Sequence, residues 1–235
     1  MIDNFNERVV QGTGQNLAFS EGLRQYMLSV YNYMFLGLGL TGAVAFVVAT
    51  TPAIQQIVMP MWIVFALAPI GIVLYMTFRA QSLSPASAQM WFWIYAAVNG
   101  VTFSAIFMMY TMPSVARVFL ITACTFGAMS LYGYTTKKDL TSMGSFLMMG
   151  VFGILIASIV NMFMHSSALH FAISVIGVLV FTGLTAYDTQ NIKDSYAEGY
   201  EEGTYQKQAI FGALRLYLDF INLFIMMLRL LGDRR

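Results

Sequence analysis

The sequence predicts an all-α polytopic membrane protein, a bundle of seven transmembrane helices. Three observations carry that expectation. Of 235 residues, 58% are hydrophobic and 10% charged, against about 45–50% and about 25% in soluble domains, so 12 Lys and Arg with 11 Asp and Glu are too few to coat a globule in water. The apolar residues gather into seven continuous stretches of about 20, the length a helix needs to cross the bilayer hydrocarbon. The links between them are short except residues 191–208, so neighbours run antiparallel in one bundle. Continuous runs, not alternating segments of about 10 residues, favour helices over a barrel.

Residues 1–26 are polar, with Asp3, Glu7, Arg8, Glu21 and Arg24, and lack the apolar core of a cleavable signal. They are expected to form a cytoplasmic segment ahead of a single transmembrane domain, 27–235, whose first span doubles as the targeting signal. The spans fall near 27–50, 57–78, 88–110, 115–134, 143–164, 168–190 and 209–231. In the first, Gly37, Gly39 and Gly42 suit close helix approach, as do Gly144, Gly150 and Gly153 in the fifth. The first set also matches a GxGxxG fingerprint, but no strand precedes it, so a dinucleotide site is not expected. Pro60 and Pro69 lie in the second span, with a kink expected at Pro69. Asn99, Asn161 and Asn222 are expected to hydrogen-bond between helices. His165 and His170 flank the turn between spans five and six as solvated residues. Cys124 has no second cysteine to pair with and reads as a small buried apolar residue.

Lysine and arginine placement sets orientation. With the N-terminus inside, the inner segments carry Arg8, Arg24, Arg79, Lys137, Lys138, Lys193 and Lys207, and the outer ones Arg117, Arg229, Arg234 and Arg235. The majority favours a cytoplasmic N-terminus, although the C-terminal arginines pull the other way. A net charge of +1 offers no field for nucleic acid. The four lysines all fall in loops, so a retinal Schiff base at mid-membrane is excluded.

Ionisable groups at membrane depth cost about 2.5–3.5 kcal/mol on insertion scales, so the few present are informative. Asp188 lies near the inner end of the sixth span and Asp219 halfway through the seventh. Arg215 stands four residues before Asp219, on the same helix face. Arg79 closes the second span and Arg117 opens the fourth; both also suit interfacial anchors. Arg215 and Asp219 also suit a structural intrahelical pair, and Asp188 an interfacial helix-end acid. If Asp188 and Asp219 share a low-dielectric site, they cannot both ionise cheaply. One then holds a proton, and the pair titrates as a unit. Ionised, it is an oxygen-rich, transient site for a hard cation such as calcium. Arg79 can bridge to one acid and latch the inner mouth. Depth is the difficulty: Asp219 stands about 15 Å into its span at 1.5 Å per residue, while Asp188 is two residues from the end of its own.

The strings Tyr132-Gly-Tyr-Thr-Thr-Lys-Lys-Asp-Leu140, Gly144-Ser-Phe-Leu-Met-Met-Gly150, Ala186-Tyr-Asp-Thr-Gln190 and Leu216-Tyr-Leu-Asp-Phe-Ile-Asn-Leu-Phe224 fall in order. They resemble the Bax inhibitor-1, or transmembrane Bax inhibitor motif, family over residues 24–232, and most of all its bacterial branch. The resemblance implies a seven-helix bundle with the C-terminal helix at its centre, in the bacterial inner membrane. It also implies a calcium leak gated by an aspartate pair across the sixth and seventh helices. By motif position that pair is Asp188 and Asp219; by place, the latch arginine is Arg79. Arg215 departs from the family, which usually has an uncharged residue there; a fixed positive charge beside Asp219 favours its anionic form and modulates the gate.

The expected function is therefore a pH-sensitive calcium leak, not an enzyme, with no cofactor, calcium as permeant ion, and the lipid bilayer as its surroundings. An intramembrane aspartyl protease would want Gly-x-Gly-Asp at its second aspartate, whereas Asp219 follows Leu216-Tyr217-Leu218. The alternative is a non-conducting membrane regulator of a protease or stress-response partner, contacted through the 191–208 loop with Glu198, Glu201 and Glu202.

Overall fold

The computed structural model describes the backbone of residues 2–196 and 202–235, and the side chains of 20–196 and 203–235. Eight α-helices follow in order: α1 (Ile2–Thr50), α2 (Pro52–Val58), α3 (Trp62–Phe78), α4 (Pro85–Met109), α5 (Met112–Thr135), α6 (Thr141–Met164), α7 (Ser167–Asp194) and α8 (Glu202–Leu231). A 3-10 turn, Met59–Met61, joins α2 to α3, so the two together make one span. The seven helical segments long and apolar enough to cross a membrane are the seven expected from the sequence. The second span is interrupted at Pro60, not at Pro69, where α3 runs through. Proline at a first helical turn forfeits no hydrogen bond. The polar N-terminal segment is continuous with the first span in α1.

Local chemistry sets the other ends. Ser84 caps α4 by accepting the Ser87 N–H at 3.2 Å, ahead of Pro85. His165 ends α6 at φ 51°, and Ser166 caps α7 through the Leu169 N–H at 3.3 Å. A left-handed residue followed at once by an N-cap reverses the chain in two residues, which makes α6 and α7 antiparallel neighbours.

The core is built around α8. In its most apolar stretch 72% of residues are buried in protein, against 39% in α7 and 6% in the second span. It packs on α1, α4, α5 and α7, while α3 leans on α4 and α6 on α7 at the periphery. Phe78, Phe146, Phe152, Phe163 and Leu179 stand exposed on the outside. An exposed apolar belt around helices whose backbone bonds are satisfied internally is what a bilayer requires. Cys124 belongs to that belt: it is exposed, not buried as expected, because apolar surroundings at its depth are lipid and not protein.

The glycines divide. A Cβ on Gly37 would meet the Phe92 ring at 2.7 Å, one on Gly144 the Tyr187 ring at 2.4 Å and one on Gly150 the Val180 side chain at 2.9 Å. Those three permit close packing as expected, whereas Gly39, Gly42 and Gly153 face open space. The asparagines do not bridge helices as expected. Asn222 donates to Leu218 O in its own helix at 2.8 Å, and Asn161 accepts the Ser166 N–H at 2.9 Å to close the α6–α7 turn. The Asn99 Nδ2 is buried without a partner.

Candidate functional site: an acidic pair between the last two helices

Helices α7 and α8 run antiparallel in a register fixed by three contacts. Gly177 lies against Met226, Gly212 against Ile192, and Arg215 Nη1 donates to Asn191 Oδ1 at 2.9 Å. That register sets Asp188 level with Asp219, and their carboxyl groups lie within interacting reach. That register removes the depth difficulty: α7 continues to Asp194, four residues past its apolar stretch, and its end lies alongside Gly212 and Arg215 of α8. Asp219 is 4% exposed; Asp188 is partly buried. Among the described residues no backbone N–H, amide, hydroxyl or cationic side chain donates to the buried Oδ2 of Asp219, and its interacting neighbour is the Asp188 carboxyl. A buried carboxyl whose polar neighbour is a second carboxyl is expensive, so its retention at the centre of the bundle is the defining feature of the site.

The stretch carrying Asp188 is braced on every side. Gly133 of α5 lies so close to the Ala186 carbonyl that a Cβ there would fall 2.1 Å from its oxygen. Gly144 of α6 admits the Tyr187 ring. The Gln190 side chain accepts the Leu140 N–H at 2.8 Å and donates to Lys138 O at 2.8 Å, pinning the α5–α6 link to α7. Lys193 donates to Tyr134 O at 3.0 Å and sits over that ring. Tyr31, Ser130 and Thr189 form a hydroxyl chain from α1 through α5 to α7, with Ser130 Oγ 3.0 Å from Thr189 Oγ1. The motif strings read separately in the sequence thus converge on one place. Sequence reasoning missed this chain and Gln190 as site residues; hydroxyls within apolar runs were the available signal.

Arg215 is exposed and spends its hydrogen bond on Asn191; among the described residues it joins no salt bridge, so it is not the intrahelical partner of Asp219. Its positive charge nonetheless acts on both acids. The structure does not bring Arg79 to the pair: it ends α3, exposed, and hydrogen-bonds to neither acid. Glu198 and Glu201 lie outside the described residues, and Glu202 is described only as the start of α8. Lys193 and Lys207 are helical, not in loops, but near the helix ends. Among the described residues no group of three or more His, Cys, Asp or Glu could hold a metal. Two carboxylates fall well short of the 6–8 oxygens calcium takes when bound for residence.

The far end of the bundle holds an acid–arginine ion pair. Arg117 Nη2 is 3.0 Å from Asp233 Oδ2 and also donates to Leu231 O at 3.2 Å. It clamps the C-terminal segment and is more than an interfacial anchor. Thr111 N donates to Asp233 O, and Arg235 N to Met109 O, each at 3.0 Å.

A seven-helix membrane bundle whose central, last helix carries a buried acid facing an acid on the sixth defines the class of protein. The family described as "Inhibitor of apoptosis-promoting Bax1" matches residues 23–235, and the chain belongs to this Bax inhibitor-1 family. Among its relatives, a protein of Rickettsia prowazekii of uncharacterized function is 48% identical over 95% of both chains. The inner membrane protein YbhL of Escherichia coli K12 is 45% identical over 91% of this chain and 94% of its own. An uncharacterized protein of Caulobacter vibrioides is 41% identical over the full length of both. The chain is accordingly an integral membrane protein of this family.

Proposed function

We propose that the protein is a pH-sensitive calcium leak of the bacterial inner membrane, gated by Asp188 and Asp219, with its N-terminus in the cytoplasm. The observation that carries the reading is the buried Asp219 carboxyl facing that of Asp188, with no other donor at its Oδ2 among the described residues. Two carboxyls so placed exchange a shared-proton form for a fully ionised one. Ionised, the pair attracts the Arg79 guanidinium, which draws the end of α3 over the inner mouth. Protonated, it releases Arg79, and the arrangement seen here, with Arg79 off the pair, is on this reading the unlatched one. The remaining charge and oxygens make a passing site for calcium without holding it. Arg215 tunes the gate by favouring the ionised form. Inner-membrane placement is supported by the name of the Escherichia coli relative, and orientation by the lysine and arginine count. No covalent chemistry and no cofactor enter the reading.

The test is calcium entry into liposomes holding the purified protein, measured against pH. Entry is expected to rise as pH falls through neutrality, and Asp188→Asn and Asp219→Asn are each expected to flatten the profile. A wild-type pH response surviving in both variants would overturn the gate. No flux at any pH would overturn the leak and favour the non-conducting regulator of a protease or stress-response partner.

A further inference from the structure

A cavity of about 590 Å³ opens between α3, α7 and α8 at the end of the bundle where α7 stops and α8 begins. Lys207 and Arg215 both line it, with Thr77, Asn191, Thr204 and Gln208. No carboxylate lines it among the described residues. Each cation is engaged there only by a neutral oxygen: Lys207 Nζ by Gln81 O at 3.2 Å, Arg215 Nη1 by Asn191 Oδ1 at 2.9 Å. Among the described residues neither forms a salt bridge. An ammonium has three donors and a guanidinium five, so these two bonds use a minor part of their donor capacity. The heads spring from points about 12 Å apart along α8 at 1.5 Å per residue, and both side chains are long enough to close on one group between them.

We propose that this cavity binds a phosphate-bearing anion, held by Lys207 and Arg215 and oriented by the hydroxyl and amide side chains around them. The chemistry fits on three counts. Lys207 and Arg215 meet only neutral oxygens in direct hydrogen bonds among the described residues, and an added anion gives both a counter-charge. A guanidinium matches phosphate oxygens in bidentate fashion, and a lysine adds a point charge. The recess lies level with the end of α7, near the interface where phospholipid phosphates sit. The phosphate can come from a lipid headgroup or from a free anion. The acids of the pair do not line the cavity, so the binding stands whether or not the pair conducts.

The experiment follows the thermal unfolding of the full chain in non-ionic detergent. One arm titrates inorganic phosphate at constant ionic strength against chloride; the other titrates a soluble short-chain phosphatidylglycerol. The comparison is with K207Q/R215Q, and with Arg117→Gln as a charge loss at the opposite end. General salting-out by phosphate is common to all variants and drops out. A saturable rise in the wild type and in Arg117→Gln, with binding about tenfold or more weaker in K207Q/R215Q, is expected. A rise in the phosphate arm assigns a free anion, and one in the lipid arm alone a headgroup. No saturable rise in either arm, or one that K207Q/R215Q retains in full, would overturn the proposal. Should K207Q/R215Q not purify folded, K207R/R215K must keep the response and each single glutamine variant must weaken it.

Discussion

The protein carries an acid beside an arginine both at the C-terminal end of the bundle and at its centre, and these two sites are built in opposite ways. Arg117 and Asp233 meet at 3.0 Å with both side chains more than half exposed, and the arginine also caps the Leu231 carbonyl. Asp219 is buried in the central helix, faces another acid, and leaves its nearest arginine bonded to an amide. The first arrangement satisfies its charges and holds a tail in place. The second sets one acid against another where that is most expensive. A bundle that pins the segment around Asp188 with so many contacts yet sets Asp219 against a second acid is using those contacts to hold a group that stability alone would remove.

The largest break in this comparison comes from behind Asp188. Gly133→Val drives a side chain into the Ala186 carbonyl, where two backbones meet and nothing flexible can yield. A loss of about 3 kcal/mol or more is expected, read as failure to recover monodisperse protein. Gly39→Ala, facing open space, is expected to change the unfolding midpoint little. Gln190→Ala removes both hydrogen bonds to the α5–α6 link and leaves a buried N–H unpaired. It is expected to lose about 1–3 kcal/mol and to speed proteolysis at Lys137 and Lys138. Asp219→Leu is expected to hold or raise the unfolding midpoint while abolishing the pH response of flux, because a similar apolar volume replaces a buried acid that faces another acid. A large fall in stability would mean that the acid has a structural partner.

At the opposite end the effects are smaller. A double-mutant cycle on Arg117→Ala and Asp233→Ala is expected to give a coupling of about 1 kcal/mol or less, since the pair is exposed and screened. The smallest concerns Asp139, which takes hydrogen bonds from the Thr141 hydroxyl and N–H; these hold its carboxyl below the usual range. A lowered folded value contributes stability above the unfolded value of about 3.9 and loses it as pH falls through the folded one. Asp139→Asn and the wild type are therefore expected to differ slightly near neutrality and to converge in strong acid.

Much of this was legible in the sequence because membranes make charge conspicuous. Hydropathy located seven spans, and the cost of an intramembrane acid singled out Asp188 and Asp219 before their contact was known. What was not legible depends on register and on which face a residue presents. Asp188 looked two residues from its helix end because Asn191 and Lys193 are too polar to extend an apolar run, yet α7 carries them to Asp194. Gly37 packs and Gly39 does not, though both sit in one string. Cys124 was read as buried because an apolar run looks the same against lipid as against protein. Asn222 and Asn161 found partners in their own helix or turn, a choice that the rotation of each helix decides.

The most direct test of the central claim is whether Asp188 and Asp219 act as one group. Calcium flux against pH in liposomes, for Asp188→Asn, Asp219→Asn and the double variant, reads this as non-additivity. The account predicts that each single variant already removes the whole pH response and that the double variant removes no more. Single variants that each keep about half of the response, adding to its full loss in the double variant, would contradict it.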